Sequence, residues 1–196
     1  NSSLLPNTNI ASGVSGTNQT LTLTPVANQF GETMVMTIVS DLDGGRATNR
    51  FQVTVRPVND PPTINPISPV QLPAGAGTQI VSLSGIGSGA PNESQPLTVS
   101  ARSSNPVLIP HASVNFAGPP NGSLSFTPLA GASGISTISV TVNDGQAQNN
   151  LTTRDFTVSI EGAPTIAQLA DVYTDEDVAA GPIALPLSST ATPPDA

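Results

Sequence analysis

Apolar and polar residues alternate along much of this chain. Leu124 and Phe126 are interleaved with Ser125 and Thr127, Ile138, Val140 and Val142 with Ser139 and Thr141, and Phe156, Val158 and Ile160 with Thr157 and Ser159. Period-two patterning bounded by Gly, Pro and Asn clusters predicts half-buried β-strands. Helix-period segments are missing, and 20 prolines spread along the chain would interrupt any long helix. Between Pro61 and Gly162 the pattern predicts strands at Thr63–Ile67 (extended by Val70–Leu72), Gln79–Leu83, Leu97–Ala101, Ser113–Phe116, Ser123–Thr127, Ser136–Val142 and Arg154–Ile160. Turn-forming residues separate them at 85–95, 105–110, 118–122, 131–134 and 143–150. The expectation is an all-β, seven-stranded sandwich of two packed sheets.

The same pattern occurs twice. LTLTP at Leu21–Pro25 returns as LSFTP at Leu124–Pro128, Gly31 as Gly134 and Asp41 as Asp144, each at an offset of 103. With small slips at polar turns, Pro6 pairs with Pro110, Phe51 with Phe156, and PPTI (Pro61–Ile64) with APTI (Ala163–Ile166). Ordered self-similarity at a fixed period marks a repeat array. Residues 1–60 carry counterparts of the last four strands, at Asn7–Ala11, Thr20–Thr24, Thr33–Val39 and Asn49–Val55. Residues 163–196 carry counterparts of the first two, at Thr165–Thr174 and Pro182–Leu187. Joined tail to head, these flanks make 94 residues against the 102 of 61–162, and the shortfall falls at the third strand, SQPLTVSARS. The expected organisation is therefore a complete module at 61–162, flanked by the C-terminal part of one at 1–60 and the N-terminal part of the next at 163–196.

Composition narrows the partners. Apolar residues make up 37%, enough for a modest core, while charged residues are 9% with a net charge of −8. The 5 cations are all arginines. An acidic chain without a basic stripe argues against nucleic acid and anionic membranes. No apolar run approaches the ~18 residues of a membrane span. The chain opens at Asn1 in mid-pattern, so an export signal is expected to have been removed or to lie upstream. Cysteine is absent, which removes disulfides and thiolate chemistry. The Thr, Ser, Asn, Gly and Pro richness fits an extracellular, cell-surface β-protein.

Four segments carry a family resemblance: PVNDPPTI (Pro57–Ile64), GIGSGAPNESQPLTVSARSSNPVLIP (Gly85–Pro110), SLSFTPLAGASGISTISVTVNDG (Ser123–Gly145) and YTDED (Tyr173–Asp177). They resemble the tandem Ig-like/cadherin-like repeats of giant bacterial cell-surface proteins. The resemblance covers nearly the whole chain. It implies tandem seven-stranded Greek-key sandwiches serving as segments of stalks, filaments or adhesins, and no enzyme activity.

Repeats of this kind place Asn-Asp after a module's last strand and an acid near its first strand, which implies calcium as a cofactor. Ca²⁺ takes about six to eight oxygen ligands. The candidate ligands are Asn59, Asp60, Asp175, Glu176 and Asp177, with Asp144 and Glu93, and then Asn92 and Asn143, as residues the central module would contribute. In the central module both elements are missing together: QLPAGAG (Gln71–Gly77) has no acid, and Glu161-Gly162 replaces Asn-Asp. The competing reading makes Asp175–Asp177 a solvated charge cluster that guards a sheet edge and Asn-Asp-Pro-Pro a stiff turn. Asp41 and Asp43 in DLDGG align with Asn143-Asp144-Gly145, which predicts a hairpin turn.

Little supports catalysis. His111 is the only histidine and follows Pro110 in a loop, without a nucleophile-elbow motif. One Tyr, five Phe and no Trp leave few platforms for sugar stacking, against the alternative of a carbohydrate- or ligand-binding Ig-like module. One strand is ambiguous. If Val35, Thr37 and Val39 face inward, Met34, Met36 and Ile38 form an outward apolar stripe, a candidate interface; a flipped register would bury the methionines instead. Exposing about eight core side chains of the unfinished flanks would forfeit on the order of 12–24 kcal/mol at ~1.5–3 each. That exceeds the ~5–15 kcal/mol net stability of a domain. The expected partner is therefore the protein itself, head to tail along a fibre, through a neighbouring copy or contiguous chain.

Overall fold

The computed structural model describes residues 1–15, 18–184 and 187–188. In chain order its strands are β1 (Ile10–Ser15), β2 (Asn18–Leu23), β3 (Gly31–Ser40), β4 (Arg46–Val55), β5 (Val70–Leu72), β6 (Gln79–Leu83), β7 (Thr98–Ser103), β8 (Ser113–Asn115), β9 (Gly122–Phe126), β10 (Gly134–Asn143), β11 (Leu151–Ile160), β12 (Thr165–Ile166) and β13 (Leu187–Ser188). The fold is all-β, as the alternation predicts. β5 to β11 form two sheets, of order β5-β11-β10-β7 and β6-β9-β8. The inward rows of both sheets make the core: Leu83, Leu124 and Phe126 from one, Ile138, Val140, Val142, Phe156, Val158 and Ile160 from the other. All pairings are antiparallel except β5 with β11, where Val158 to Ile160 run parallel to Val70 to Leu72.

The internal repeat holds in three dimensions. β3 and β4 pair from Gly31↔Val55 to Ser40↔Arg46, and β10 and β11 from Gly134↔Ile160 to Asn143↔Leu151, the same register at the same offsets. Ahead of them the Leu5 N–H donates to the Asn1 carbonyl (3.1 Å) and Val26 N–H to Leu4 (3.0 Å); Ile109 donates to Asn105 (2.9 Å) and Leu129 to Leu108 (2.9 Å). The Asn1 Oδ1 caps Leu4 N–H at 3.3 Å as Asn105 Oδ1 caps Leu108 N–H at 3.2 Å. In the tail, Val178 N–H donates to the Asp175 carbonyl at 3.2 Å with Asp177 at φ 62°, which copies Ala76 N–H to Pro73 at 3.2 Å with Gly75 at φ 72°.

Several strands differ from expectation. Thr63–Ile67 contributes one isolated bridge, Thr63↔Gly87, because Pro61, Pro62, Pro66 and Pro69 cannot donate to a ladder. Asn7–Asn9 is a 3-10 turn closed by Asn9 N–H on the Pro6 carbonyl (2.9 Å), and the strand begins at Ile10. Thr165–Thr174 is a strand only at Thr165–Ile166, and the expected strand at Pro182–Leu187 appears as Leu187–Ser188, with residues 185–186 outside the described set. β5, the counterpart of 172–174, is held by β11, and nothing in 163–184 supplies such a partner strand.

Burial separates the copies. Val142 is 0% exposed and its counterpart Val39 is 69%; Ile64 is 4% and Ile166 is 56%. Val39 is therefore uncovered in this chain, although it lies on the face of β3 where Thr33 and Val35 are buried. Phe51, Val53 and Val55 are half-buried, whereas Phe156, Val158 and Ile160 are buried.

Candidate functional site

The densest polar constellation joins the segment Pro57–Pro62 to one end of the β5–β11 sandwich. Two loops form the receiving surface: the β10–β11 hairpin, 144–150, and the β6–β7 connection near 89–96. The hairpin is shaped by its own side chains. Asn143 Oδ1 accepts from Gly145 N–H (2.7 Å), Asp144 Oδ1 accepts from Gln146 N–H (2.9 Å), and Asn149 adopts φ 53°. Asn tolerates that left-handed conformation better than most residues. The other Asp144 oxygen and the carbonyls of Gln148 and Asn149 are thereby aimed at the linker.

Asn59 fills that convergence. Its Nδ2 donates to Asp144 Oδ2 at 2.8 Å, to the Gln148 carbonyl at 3.0 Å and to the Asn149 carbonyl at 3.3 Å. Its Oδ1 accepts from Gln95 Nε2 (2.9 Å), and its own carbonyl accepts from Asn149 Nδ2 (2.9 Å). One side chain thus fastens three stretches of chain. Next to it, Asp60 N–H donates to Glu93 Oε1 at 3.0 Å, while Ser88 Oγ steadies the Glu93 carbonyl at 2.8 Å. The linker also runs tightly under Gly89, whose φ is 110°; a Cβ there would lie 2.8 Å from the carbonyl oxygens of Asp60 and Pro61. Asp144 is 2% exposed, and Pro62 is fully buried. Glu93 Oε2 and Gln95 Oε1 are buried without a hydrogen-bond partner.

The structure thus brings Asn59, Asp60, Glu93 and Asp144 to one joint, with Asp60 bonded there through its backbone. Asn92 is exposed on the same loop as Glu93. Asp175, Glu176 and Asp177 sit in the exposed tail turn. Among the described residues no three His, Cys, Asp or Glu side chains gather closely enough to hold a metal ion. As arranged at the joint, the point where oxygens converge holds an amide N–H₂ and Glu93 Oε1 is engaged by an N–H, while Glu93 Oε2 and Gln95 Oε1 have no partner. An amide donor satisfies the Asp144 carboxylate there, as a cation otherwise would.

On β3, Thr33 and Val35 are buried and Met34, Met36 and Ile38 are exposed. The methionines therefore face outward. Asp41 lies in the β3–β4 turn, where its Oδ1 accepts from Asp43 and Gly45 N–H at 3.1 and 2.6 Å, so DLDGG is a hairpin turn. Gln95 and Asn149 escaped the sequence reading, since both sit in turn-forming text. The one available signal was the Asn149-Asn150 pair, a residue type suited to φ > 0 in a hairpin.

A family described as Bacterial Ig domain matches residues 59–161, from Asn59 to Glu161 just past β11. The chain belongs to the bacterial Ig domain family. The Ig-domain match begins at the residue that fastens the joint. The solved structures similar to it include domains 4 and 5 of the S-layer protein SbsC, 16% identical, with TM-score 0.34, over 75% of this chain and 84% of that one. They also include titin domains Z1Z2 in complex with telethonin, 13% identical, with TM-score 0.39, over 81% and 75%. Endo-fucoidan hydrolase MfFcnA4 from glycoside hydrolase family 107 is 17% identical, with TM-score 0.38, over 78% of this chain, which spans 22% of the hydrolase. No curated protein matches in sequence. Among the described residues, no helix of this Ig-domain chain is long and apolar enough to cross a membrane.

Proposed function

We propose that this chain is a structural segment of an extracellular bacterial surface protein, built from Ig-like sandwiches strung end to end as a stalk or filament. Residues 61–162 are one whole module. Residues 1–60 and 163–196 are complementary parts of a second type, completed by a neighbouring copy or by contiguous chain. The observation that carries this reading is the exposure of repeat counterparts: Val39 and Ile166 stand open where Val142 and Ile64 are buried. Leaving such faces in water is unfavourable by about 1.5–3 kcal/mol per large apolar side chain.

Chain direction supports the same reading. The linker docks at the β10–β11 hairpin, and Glu161 N–H donates to the Leu72 carbonyl at the far end of β11 (2.9 Å). A ten-residue strand spans roughly 30 Å at ~3.3 Å per residue, so the chain enters and leaves at opposite ends. The polar clasp around Asn59 and the prolines at 57, 61 and 62 hold one joint at a set angle. The function is reach and stiffness.

Small-angle scattering across a concentration series tests this. Elongated particles, lengthening by whole modules as concentration rises, are expected. A compact globule of fixed size would discard the end-to-end reading.

A further inference from the structure

A spacer gives no task to the outer face of its four-stranded sheet. We propose that a cleft on that face, at the β7 edge, is a binding site for the carboxylate-bearing sugars of an acidic polysaccharide. The site lies wholly within the complete sandwich and does not rest on the end-to-end reading.

Strand alternation builds it. Val99 and Ala101 of β7 and Val140 and Val142 of β10 pack on the core side, which sends Ser100 and Arg102, and Ser139 and Thr141, to the outer face. The register sets them in two rows. Arg102 lies opposite Ser139, which lies opposite Asp155; Ser100 lies opposite Thr141, which lies opposite Thr153. β7 ends the sheet, and His111 closes over its free edge, where Nδ1 accepts from Ser103 N–H at 3.2 Å. Ser100, Ala101, Arg102, His111, Ser139 and Thr141 line a cleft of about 620 Å³, within the range of small-ligand sites.

The lining offers donors without acceptors to meet them. A guanidinium only donates, and among the described residues that of Arg102 has no hydrogen bond or ion pair. Arg154, by contrast, donates its Nε–H to the Ile64 carbonyl at 3.2 Å. Because His111 Nδ1 is an acceptor, the ring proton sits on Nε2, and that second donor has no partner among the described residues. Thr141 Oγ1 is paired with Thr153 Oγ1 at 2.9 Å, while the Ser100 and Ser139 hydroxyls are unengaged. A planar guanidinium fork matches a planar carboxylate, and the free hydroxyls suit the sugar hydroxyls beside it. No Phe, Tyr or Trp lines the cleft, so a neutral sugar would find no ring to stack on.

The net charge of −8 does not cancel this attraction. Asp155, the one acid in these rows, stands two strands from Arg102, roughly 10 Å at ~4.8 Å per strand. That is about one Debye length at physiological salt, whereas a bound carboxylate touches the guanidinium. The fold does not demand these donors either. At the same repeat positions the head carries Met36 for Ser139, Ile38 for Thr141 and Asn7 for His111. Beyond the cleft the face continues in hydroxyls, Thr137, Thr153 and Thr157, which suits successive sugars better than the apolar side chains of a peptide.

Titration of the full chain with polygalacturonate, followed through the Arg102 Nε–H and His111 ring signals by nuclear magnetic resonance, tests the site. Both signals should shift and saturate together. Arg102→Gln should weaken binding at least about tenfold, and Ser139→Met, which copies the head, should weaken it as well. Arg50→Gln, which removes the same charge from an exposed position of β4, should leave the affinity unchanged. Fully methyl-esterified polygalacturonate keeps the sugar without the anion and should not bind. Polyglutamate keeps the anion without the sugar and should bind at least about tenfold more weakly. Equal melting midpoints confirm that each variant is folded. Unshifted signals at millimolar uronate, equal binding of the ester, or equal weakening by Arg50→Gln overturns the site. Equal binding of polyglutamate overturns the polysaccharide as its ligand. Scattering without sugar reports end-to-end particles separately, so either reading can fall alone.

Discussion

The side-chain nitrogen of Asn59 lies 2.8 Å from the Asp144 carboxylate, across 85 residues of sequence. The contact links the segment that follows β4 to the β10–β11 hairpin. Asp144 is buried, so its charge needs a donor, and the linker supplies one.

Replacing that donor should loosen the joint. Asn59→Ala leaves Asp144 Oδ2 and two hairpin carbonyls without this partner, and is expected to cost about 1–3 kcal/mol. Asn59→Asp should cost more, because two carboxylates would then face each other at the same point. Urea unfolding gives the energy, and scattering gives the spread of angles at the joint. An unchanged midpoint together with an unchanged scattering profile would remove Asn59 from its role as fastener.

Metal removal should do little at this joint. Asp144 Oδ2 and Glu93 Oε1 are already met by N–H groups, so melting with a chelator should coincide with melting in millimolar calcium. A rise of several degrees on adding calcium, abolished in Asp144→Asn, would reinstate the ion.

Counterpart positions should respond differently to truncation. Ile64→Ala opens a cavity in a finished core and should cost about 2–5 kcal/mol. Ile166→Ala, at an exposed site, should stay within ~0.5 kcal/mol in dilute solution. At concentrations where end-to-end particles form, the Ile166 variant should instead weaken assembly. Equal losses for both variants in dilute monomer would mean that the tail closes a core of its own.

Gly89 is a close approach between the linker and the sandwich. Gly89→Ala combines an unfavourable φ with a 2.8 Å clash against the backbone of Asp60 and Pro61, and should destabilise by roughly 1–3 kcal/mol. Gly77→Ala meets nothing within 4 Å and has no positive φ, so it serves as the neutral control. Similar unfolding midpoints for the two variants would show that the linker yields freely.

The strand pattern was legible because burial on one face of a sheet writes itself as alternation, as in Ile138, Val140 and Val142. The repeat was legible too, since shared core positions keep their order. Val39 shows the limit of that logic: its sequence context matches Val142, yet it stands open, with two-stranded sheets around it where Val142 has sheets of four and three strands. Thr63–Ile67 misled for another reason. Its apolar residues do pack, with Ile64 buried, but prolines on both sides deny the ladder. The clasp was only half legible. Asn59, Asp60, Glu93 and Asp144 stood out as oxygen-bearing side chains near a joint, but which group donates depends on three-dimensional aim, and Gln95 and Asn149 had no signal beyond turn composition.

The parallel pairing of β5 with β11 has a mechanical consequence. These are the first and last strands of the sandwich, and the chain leaves it at opposite ends. Tension carried along the polypeptide would therefore slide Val70–Leu72 lengthwise against Val158–Ile160, loading all the bonds between them at once instead of peeling them one after another. A rod made of such units resists stretching at every unit, and single-molecule pulling would register that resistance as evenly spaced, high-force ruptures.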